Sequence, residues 1–239
     1  MIIIPARMAS SRFPNKVLAD IGGVPMVIAT ARRVQGVDDV AIATDSDEIV
    51  SVAEAYGFRA VLTSEAHRSG TDRINEAADK LGLGEEEIII NVQADEPFIE
   101  PEVVKSLYER VRDAKATGEA LMMASCYKRI EPRFADDPNH VKVIMDHRGY
   151  AIYFSRSKIP YDREEHYGYF GHLGIYGFTG RSLKAFCTLP PSPLEEIEKL
   201  EQLRALYYGE KIAMVEVESE SFGIDTVEDL EMALKRFVK

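Results

Sequence analysis

The stretch Val40-Ala41-Ile42-Ala43-Thr44-Asp45-Ser46-Asp47-Glu48-Ile49-Val50-Ser51-Val52-Ala53-Glu54-Ala55-Tyr56 begins as an apolar run of strand length. After a short charged break it continues with helical period from Glu48 to Tyr56. The same order recurs on both sides. Upstream lie Ile2–Ile4 and then Pro25–Val34; downstream come Ala60–Thr63 with Thr71–Leu81, and Ile88–Val92 with Pro101–Ala114. Apolar runs without polar alternation suit strands buried on both faces. The repeated strand–helix order therefore predicts an α/β fold, three-layered, with a mainly parallel central sheet flanked by helices and right-handed crossovers.

The rhythm changes after Gly118. Val141–Asp146 and Tyr150–Ser155 flank His147-Arg148-Gly149, which predicts an antiparallel hairpin with a glycine turn. A further strand is expected at His172–Phe178, a helix from about Leu194 to Tyr208, a strand at Ile212–Val217 and a last helix at Val227–Phe237. No repeat, low-complexity tract or linker interrupts the chain, so a single domain over 1–239 is expected, with a hairpin excursion at about 121–180.

The 239 residues are 46% hydrophobic and carry a net charge of −11, the composition of a soluble globular protein. Apolar runs such as Ile88-Ile89-Ile90 are far shorter than the ~20 residues a bilayer-spanning helix needs. No basic segment precedes the apolar start at Met1, so a secretory signal is not expected and a cytoplasmic location is. Cys126 and Cys187 have no metal-spaced partners and read as small buried hydrophobes. The acidic balance excludes a duplex nucleic-acid binder. Residues 1–19, by contrast, carry +3 against −14 for the rest, so a small polyanion could be held near the start of the chain.

In open α/β sheets ligands bind beyond the carboxyl ends of the strands. After the first strand, Pro5 to Lys16 is a small-residue loop with Arg7, Arg12, Lys16, Ser10 and Ser11, able to wrap a triphosphate or to face nearby acids. It is neither a P-loop nor a dinucleotide fingerprint. Gln93-Ala94-Asp95-Glu96-Pro97 follows the fourth strand and Gly223-Ile224-Asp225-Thr226 precedes the last helix, making Asp95 and Asp225 the candidate ligands for a hard cation such as Mg²⁺. Asp225 also suits the start of that helix, beside a Thr226-x-x-Asp229 capping box. Asp45-Ser46-Asp47 has the D-x-D form of metal-dependent glycosyltransferases, but Asp45-x-x-Glu48 also reads as a helix start, and the cap is the favoured reading. Ser69-Gly70-Thr71-Asp72-Arg73 is a tight turn into a helix where a flat base could approach the backbone, or an ordinary N-cap. On a helix from Leu194, the apolar stripe of Leu194, Ile197, Leu200 and Leu203 also takes in Glu201 and Arg204, which form either a mutual ion pair or part of a polar site. Zinc-protease and serine-hydrolase patterns are absent.

The run Ile4 to Lys16 resembles the opening of the 3-deoxy-manno-octulosonate cytidylyltransferases. The resemblance continues through Ala43-Thr44-Asp45, Ser69 to Arg73, Asn91 to Pro97, Tyr153-Phe154-Ser155-Arg156, His172 to Gly177, Leu200 to Arg204, Tyr208 to Ile212 and Gly223 to Thr226. It implies a nucleotide-sugar transferase fold and Mg²⁺-dependent transfer of CMP from CTP to 3-deoxy-D-manno-octulosonate (Kdo), with release of pyrophosphate, for lipopolysaccharide biosynthesis. By that resemblance Arg7 and Lys16 hold the triphosphate, Ser11 and Arg12 shape the loop, and Ser69 and Gly70 lie by the cytosine. Asp95 and Asp225 hold Mg²⁺, while Gln93, Arg156, His172, Tyr176, Glu201 and Gln202 bind the sugar acid. The family usually has Gly where this chain has Ala94. A homodimer through the 141–155 hairpin is also implied, with Tyr150, Tyr153 and Phe154 suited to a buried face; neither nucleic acid nor stable membrane insertion is. The alternatives are 8-amino-Kdo or another sugar acid as acceptor, a D-x-D glycosyltransferase, and a non-catalytic nucleotide-sugar-binding module.

Overall fold

The computed structural model describes residues 1–9, 13–164 and 168–238. In chain order the elements are β1 (Ile2–Ala6), α1 (Met26–Val34), β2 (Val40–Thr44), α2 (Asp47–Ala55), β3 (Arg59–Leu62), α3 (Gly70–Leu81), β4 (Ile88–Asn91), α4 (Pro101–Thr117), β5 (Met123–Ile130) and α5 (Pro132–Ala135). They continue with β6 (Lys142–Met145), β7 (Ala151–Ser155), β8 (Tyr169–Thr179), α6 (Gly180–Thr188), α7 (Pro193–Glu198), α8 (Leu203–Tyr207), β9 (Ile212–Glu216) and α9 (Val227–Phe237). The chain forms two compact units, Met1–Lys105 with Ser219–Lys239, and Ser106–Glu218. Among the described residues, no helix is long and apolar enough to cross a membrane.

In the first unit the strands run β3-β2-β1-β4, all parallel, with Ile2 opposite Val40 and Ile90, and Ala41 opposite Arg59. The central strand β1 is buried along its whole length, and Ile2, Ile3 and Ile4 expose nothing. This is why the sequence shows an uninterrupted apolar run there: each side chain meets a helical layer on one face or the other, and each buried isoleucine contributes about 1.5–3 kcal/mol. α3 starts at Ser69, whose Oγ accepts from the Asp72 N–H at 3.1 Å, and ends at Gly82 in the left-handed region. α9 opens on the full Thr226–Asp229 capping box and carries Lys235 and Arg236 in its last turn, matching the helix dipole at both ends. Phe237 of α9 stacks on Phe98 at 4.6 Å, and Ile224 and Ala233 complete a core with Ile21 and Met26.

The second unit is mixed. β5 pairs antiparallel with β8 and parallel with β9, and β6 pairs antiparallel with β7 and β8. The 146–150 turn is built as expected: the Asp146 N–H donates to the Tyr150 carbonyl at 2.8 Å, and Gly149 supplies φ +81°. One expectation fails. The segment from Leu194 to Tyr208 is not one helix, because Lys199 adopts φ +54° and separates α7 from α8. The apolar stripe counted through that point is broken, leaving Ile197 79% exposed and Gln202 only 2% exposed. Arg204 is bound in bidentate fashion by Glu195, its Nε donating at 2.8 Å, and lies over the Phe186 ring at 4.9 Å. Phe154 is fully buried within the second unit and the Tyr150 hydroxyl donates to Glu119, so neither is a free aromatic face.

Asp45 is a structural tie rather than a helix cap. α2 is preceded by Ser46, and the two Asp45 oxygens accept from the Met8 N–H at 3.2 Å and from Arg73 Nη2 at 2.7 Å. Arg73 is 3% exposed and also donates to Thr63 Oγ1 at 2.7 Å. A buried guanidinium that loses its carboxylate is left with an uncompensated charge. Asp45→Ala is therefore expected to lower unfolding stability by about 3 kcal/mol. Urea titration of both proteins measures this, and an unchanged midpoint would dismiss the tie.

Candidate active site

The first unit has a cleft of about 280 Å³ at the carboxyl ends of β1 and β4. It is lined by Arg7, Lys16, Ser69, Gly70, Gln93, Asp95 and Asp225, all expected from the sequence. Ser11 and Arg12, expected to shape the same loop, lie outside the described residues. Asn15, in the left-handed region at φ +56°, starts a single 3₁₀ turn over Lys16–Leu18. From that turn the Lys16 ammonium donates to Asp95 Oδ2 at 2.6 Å and to Asp225 Oδ1 at 2.9 Å. Burial alone would lower the Lys16 pKa, but the two carboxylates outweigh it and raise it above its ordinary 10.5.

The arrangement is held from behind. The Ile224 N–H donates to the Asp95 carbonyl at 2.9 Å, Ser221 Oγ to Glu96 Oε2 at 2.8 Å, and Ser219 Oγ to Glu100 Oε2 at 2.7 Å. Glu96 and Glu100 thus fasten the 219–225 segment onto the loop after β4. Asp225 stands at the head of α9 and also faces the cleft. Its N–H is bound by Asp229 at 3.0 Å at the head of α9, while its carboxylate reaches Lys16. Ala94 fits without strain, since Asn15 and Lys199 are the non-glycine residues with positive φ among those described, and its carbonyl accepts from Thr30 at 2.9 Å. Gly70 is required for close approach: a Cβ there would stand 3.1 Å from Pro5 Cγ and 3.5 Å from Gln93 Oε1.

The donor set fits a hard divalent cation. Two carboxylate oxygens already converge on one cationic centre, and Mg²⁺ takes one or two carboxylates while keeping positions for water and phosphate. No cluster of three or more His, Cys, Asp or Glu ligands exists among the described residues, which argues against a closed, all-protein metal cage.

The second unit gathers other expected residues into a neutral network. Ser125 Oγ, at an irregularity in the β5–β8 register, donates to the Ile175 carbonyl at 2.7 Å. It is then the acceptor for His172 Nε2–H at 2.8 Å. That tautomer leaves Nδ1 to accept from Gln202 Nε2 at 3.5 Å, and Gln202 Oε1 accepts the Tyr176 hydroxyl at 3.0 Å. Although His172 keeps some accessible area, the protein packed around its ring lowers its pKa to about 3. Burial, with the nearby Glu201 charge, raises the Tyr176 pKa well above 10. Arg156 is engaged elsewhere, donating to the carbonyls of Glu198 at 2.7 Å and Pro138 at 3.0 Å.

Residues 1–212 match the profile of a family described as cytidylyltransferase. This chain belongs to that cytidylyltransferase family. It is an enzyme of the nucleotidyltransferase class. It is 59% identical to the 3-deoxy-manno-octulosonate cytidylyltransferase of Nitratiruptor sp. over 96% of both chains. With the protein of the same name from Wolinella succinogenes it is 54% identical over 99% of both. Among solved structures, the CMP:2-keto-3-deoxy-manno-octonic acid synthetase complexed with CTP superposes with a TM-score of 0.90 at 40% identity, covering 98% of this chain and 96% of the other.

Three ionisable residues of the cytidylyltransferase cleft carry no role in the sequence reading: His67, Arg68 and Arg73. Arg73 was legible as part of Ser69–Arg73, but nothing in the spacing marked it as buried. His67 and Arg68 stand directly before that motif, and two nitrogen-rich side chains abutting it are the available signal.

The pH response of His172 follows from its lowered pKa. The unfolded chain takes up a proton below 6.5 while the folded one resists to about 3, so the neutral imidazole's contribution is lost progressively as pH falls through that window. The His172 imidazole resonances are expected to stay constant between pH 5 and 8. A midpoint near 6.5 by NMR would contradict the neutral network.

Proposed function

We propose that this chain transfers CMP from CTP to Kdo, releasing pyrophosphate, with Mg²⁺ bound by Asp95 and Asp225. The observation that carries the reading is the convergence of those two carboxylates on one cation within an otherwise cationic cleft. The naming of full-length relatives supports the same nucleotide and acceptor.

Transfer of a nucleotidyl group needs neutralised charge and in-line positioning more than a protein nucleophile. Arg7 and Lys16 would hold the triphosphate and stabilise departing pyrophosphate, with Ser11 and Arg12 shaping their loop. Ser69 and Gly70, which line the cleft, would receive the cytosine. Gln93, Arg156, His172, Tyr176, Glu201 and Gln202 would bind the sugar acid. When bound, Mg²⁺ supplies charge neutralisation at the α-phosphate and a lower pKa at the attacking sugar hydroxyl. With its pKa lowered to about 3, His172 is too weak a base to be assigned the proton; the sugar oxygen would attack the α-phosphorus directly as the bond to pyrophosphate breaks, its proton passing to solvent or to the departing pyrophosphate.

The product would serve lipopolysaccharide biosynthesis from the cytoplasm. A homodimer is part of the same proposal; Ile152 on β7 is 55% exposed and offers apolar surface for it.

Pyrophosphate release with Mg²⁺ and CTP is expected with Kdo, and is to be compared with 8-amino-Kdo, sialic acid and no acceptor. Asp95→Asn and Asp225→Asn should each reduce the rate by roughly 10²-fold or more, in the range typical for lost transition-state charge stabilisation. Release with a different acid would rename the substrate and keep the chemistry. Silence with every acceptor, from folded protein that still binds CTP, would favour a non-catalytic binding module. A covalent CMP–enzyme accumulating with CTP alone would refute direct attack.

A further inference from the structure

The cations facing the cleft divide into two groups. Lys16 is held by Asp95 and Asp225, and Arg73 by Asp45. Arg7 and Arg68 line the same cleft, and neither meets a carboxylate or carbonyl among the described residues. With 40 acidic residues in the chain, two guanidinium groups left uncompensated at one opening are not explained by charge balance. Arg7 has an expected phosphate. Arg68 has no assigned role.

The backbone around Arg68 is fixed on both sides. Thr63 is bound to the Thr44 carbonyl at 2.7 Å, and the Ser64 N–H donates to Glu76 Oε2 at 2.9 Å. The Ala66 N–H donates to Ser64 Oγ at 3.1 Å, and His67 Nε2 makes a short contact with the same Glu76 oxygen. Glu76, held in turn by Lys80 at 2.8 Å, has its pKa lowered to about 2, chiefly by the Lys80 hydrogen bond, and remains a carboxylate under all working conditions. On the other side Ser69 caps α3. Arg68 therefore stands on an anchored loop, its side chain exposed and without a hydrogen bond or ion pair to any other described residue.

We propose that Arg68 is a nucleotide-contact residue whose guanidinium binds phosphate oxygens of the nucleoside triphosphate, across the cleft mouth from Arg7, with Glu76 and His67 as positioning residues. This deepens the reading of the cleft as a CTP site and rests on it. A planar, permanently charged fork suits two phosphate oxygens, and at the exposed rim its attraction is screened by salt.

The test is binding of CTP, CMP and cytidine by calorimetry, without acceptor, over a series of salt concentrations, to the wild type and to Arg68→Ala, Arg68→Lys and Glu76→Gln. Arg68→Ala is expected to weaken CTP about tenfold at low salt, to flatten the salt dependence, and to leave cytidine unchanged. Arg68→Lys should retain part of the affinity, and Glu76→Gln should weaken CTP without affecting cytidine. Because Arg68 is exposed, the alanine variant should melt with the wild type. Unchanged CTP affinity and salt dependence in Arg68→Ala would overturn the proposal, as would an equal loss for CTP and cytidine. Failure of the wild type to release pyrophosphate while binding CTP would instead count against the transfer reaction and leave the Arg68 assignment standing.

Discussion

The ammonium of Lys16, set between Asp95 and Asp225, joins segments that are 79 and 209 positions away from it. Two carboxylates brought to one point repel unless a positive charge lies between them. The rest of the first unit reads as a means of making that meeting possible. The parallel strands β1 and β4 deliver the first two segments to the same sheet edge, α9 carries the third, and Glu96 and Glu100 tie that third segment down. The interaction fixes both carboxylates at one point of the cleft.

The two units solve opposite electrostatic problems. The cleft is built from full charges at a partly accessible surface, where each ion is matched or left open for an anion. The His172 network is built from neutral dipoles. Each donor there has an acceptor in sequence, from Tyr176 to Gln202 and from His172 to Ser125 and the Ile175 carbonyl. Protonating His172 would set its Nδ1–H against the Gln202 amide, so burial and hydrogen-bond geometry favour the same state.

Much of this was legible in the chain. Val40–Thr44 and Val227–Phe237 were placed to the residue, because one is an unbroken apolar run and the other starts at a complete capping box. The Asp95 and Asp225 pairing was legible because both follow strand or loop ends where such folds place ligands. The break at Lys199 was not, since a left-handed lysine leaves no local signature, and with it went the burial of Gln202 and the exposure of Ile197. Asp45 was misread as a helix start because its partner, Arg73, lies 28 positions away, beyond the reach of local pattern. Glu76 carried no signal at all, since its role depends on a loop folding back over α3.

Because the first unit is closed by residues from Ser219 onward, its assembly has an order in time. A nascent polypeptide leaving the ribosome presents Lys16 and Asp95 while Asp225 has yet to be translated. At typical elongation rates that interval is on the order of ten seconds. Throughout it Ile21 and Met26 lack Ile224 and Ala233, leaving an apolar patch of the kind that chaperones cover. A polypeptide that stops short of Asp225 therefore lacks the second carboxylate on Lys16, and its cleft stays open on that side.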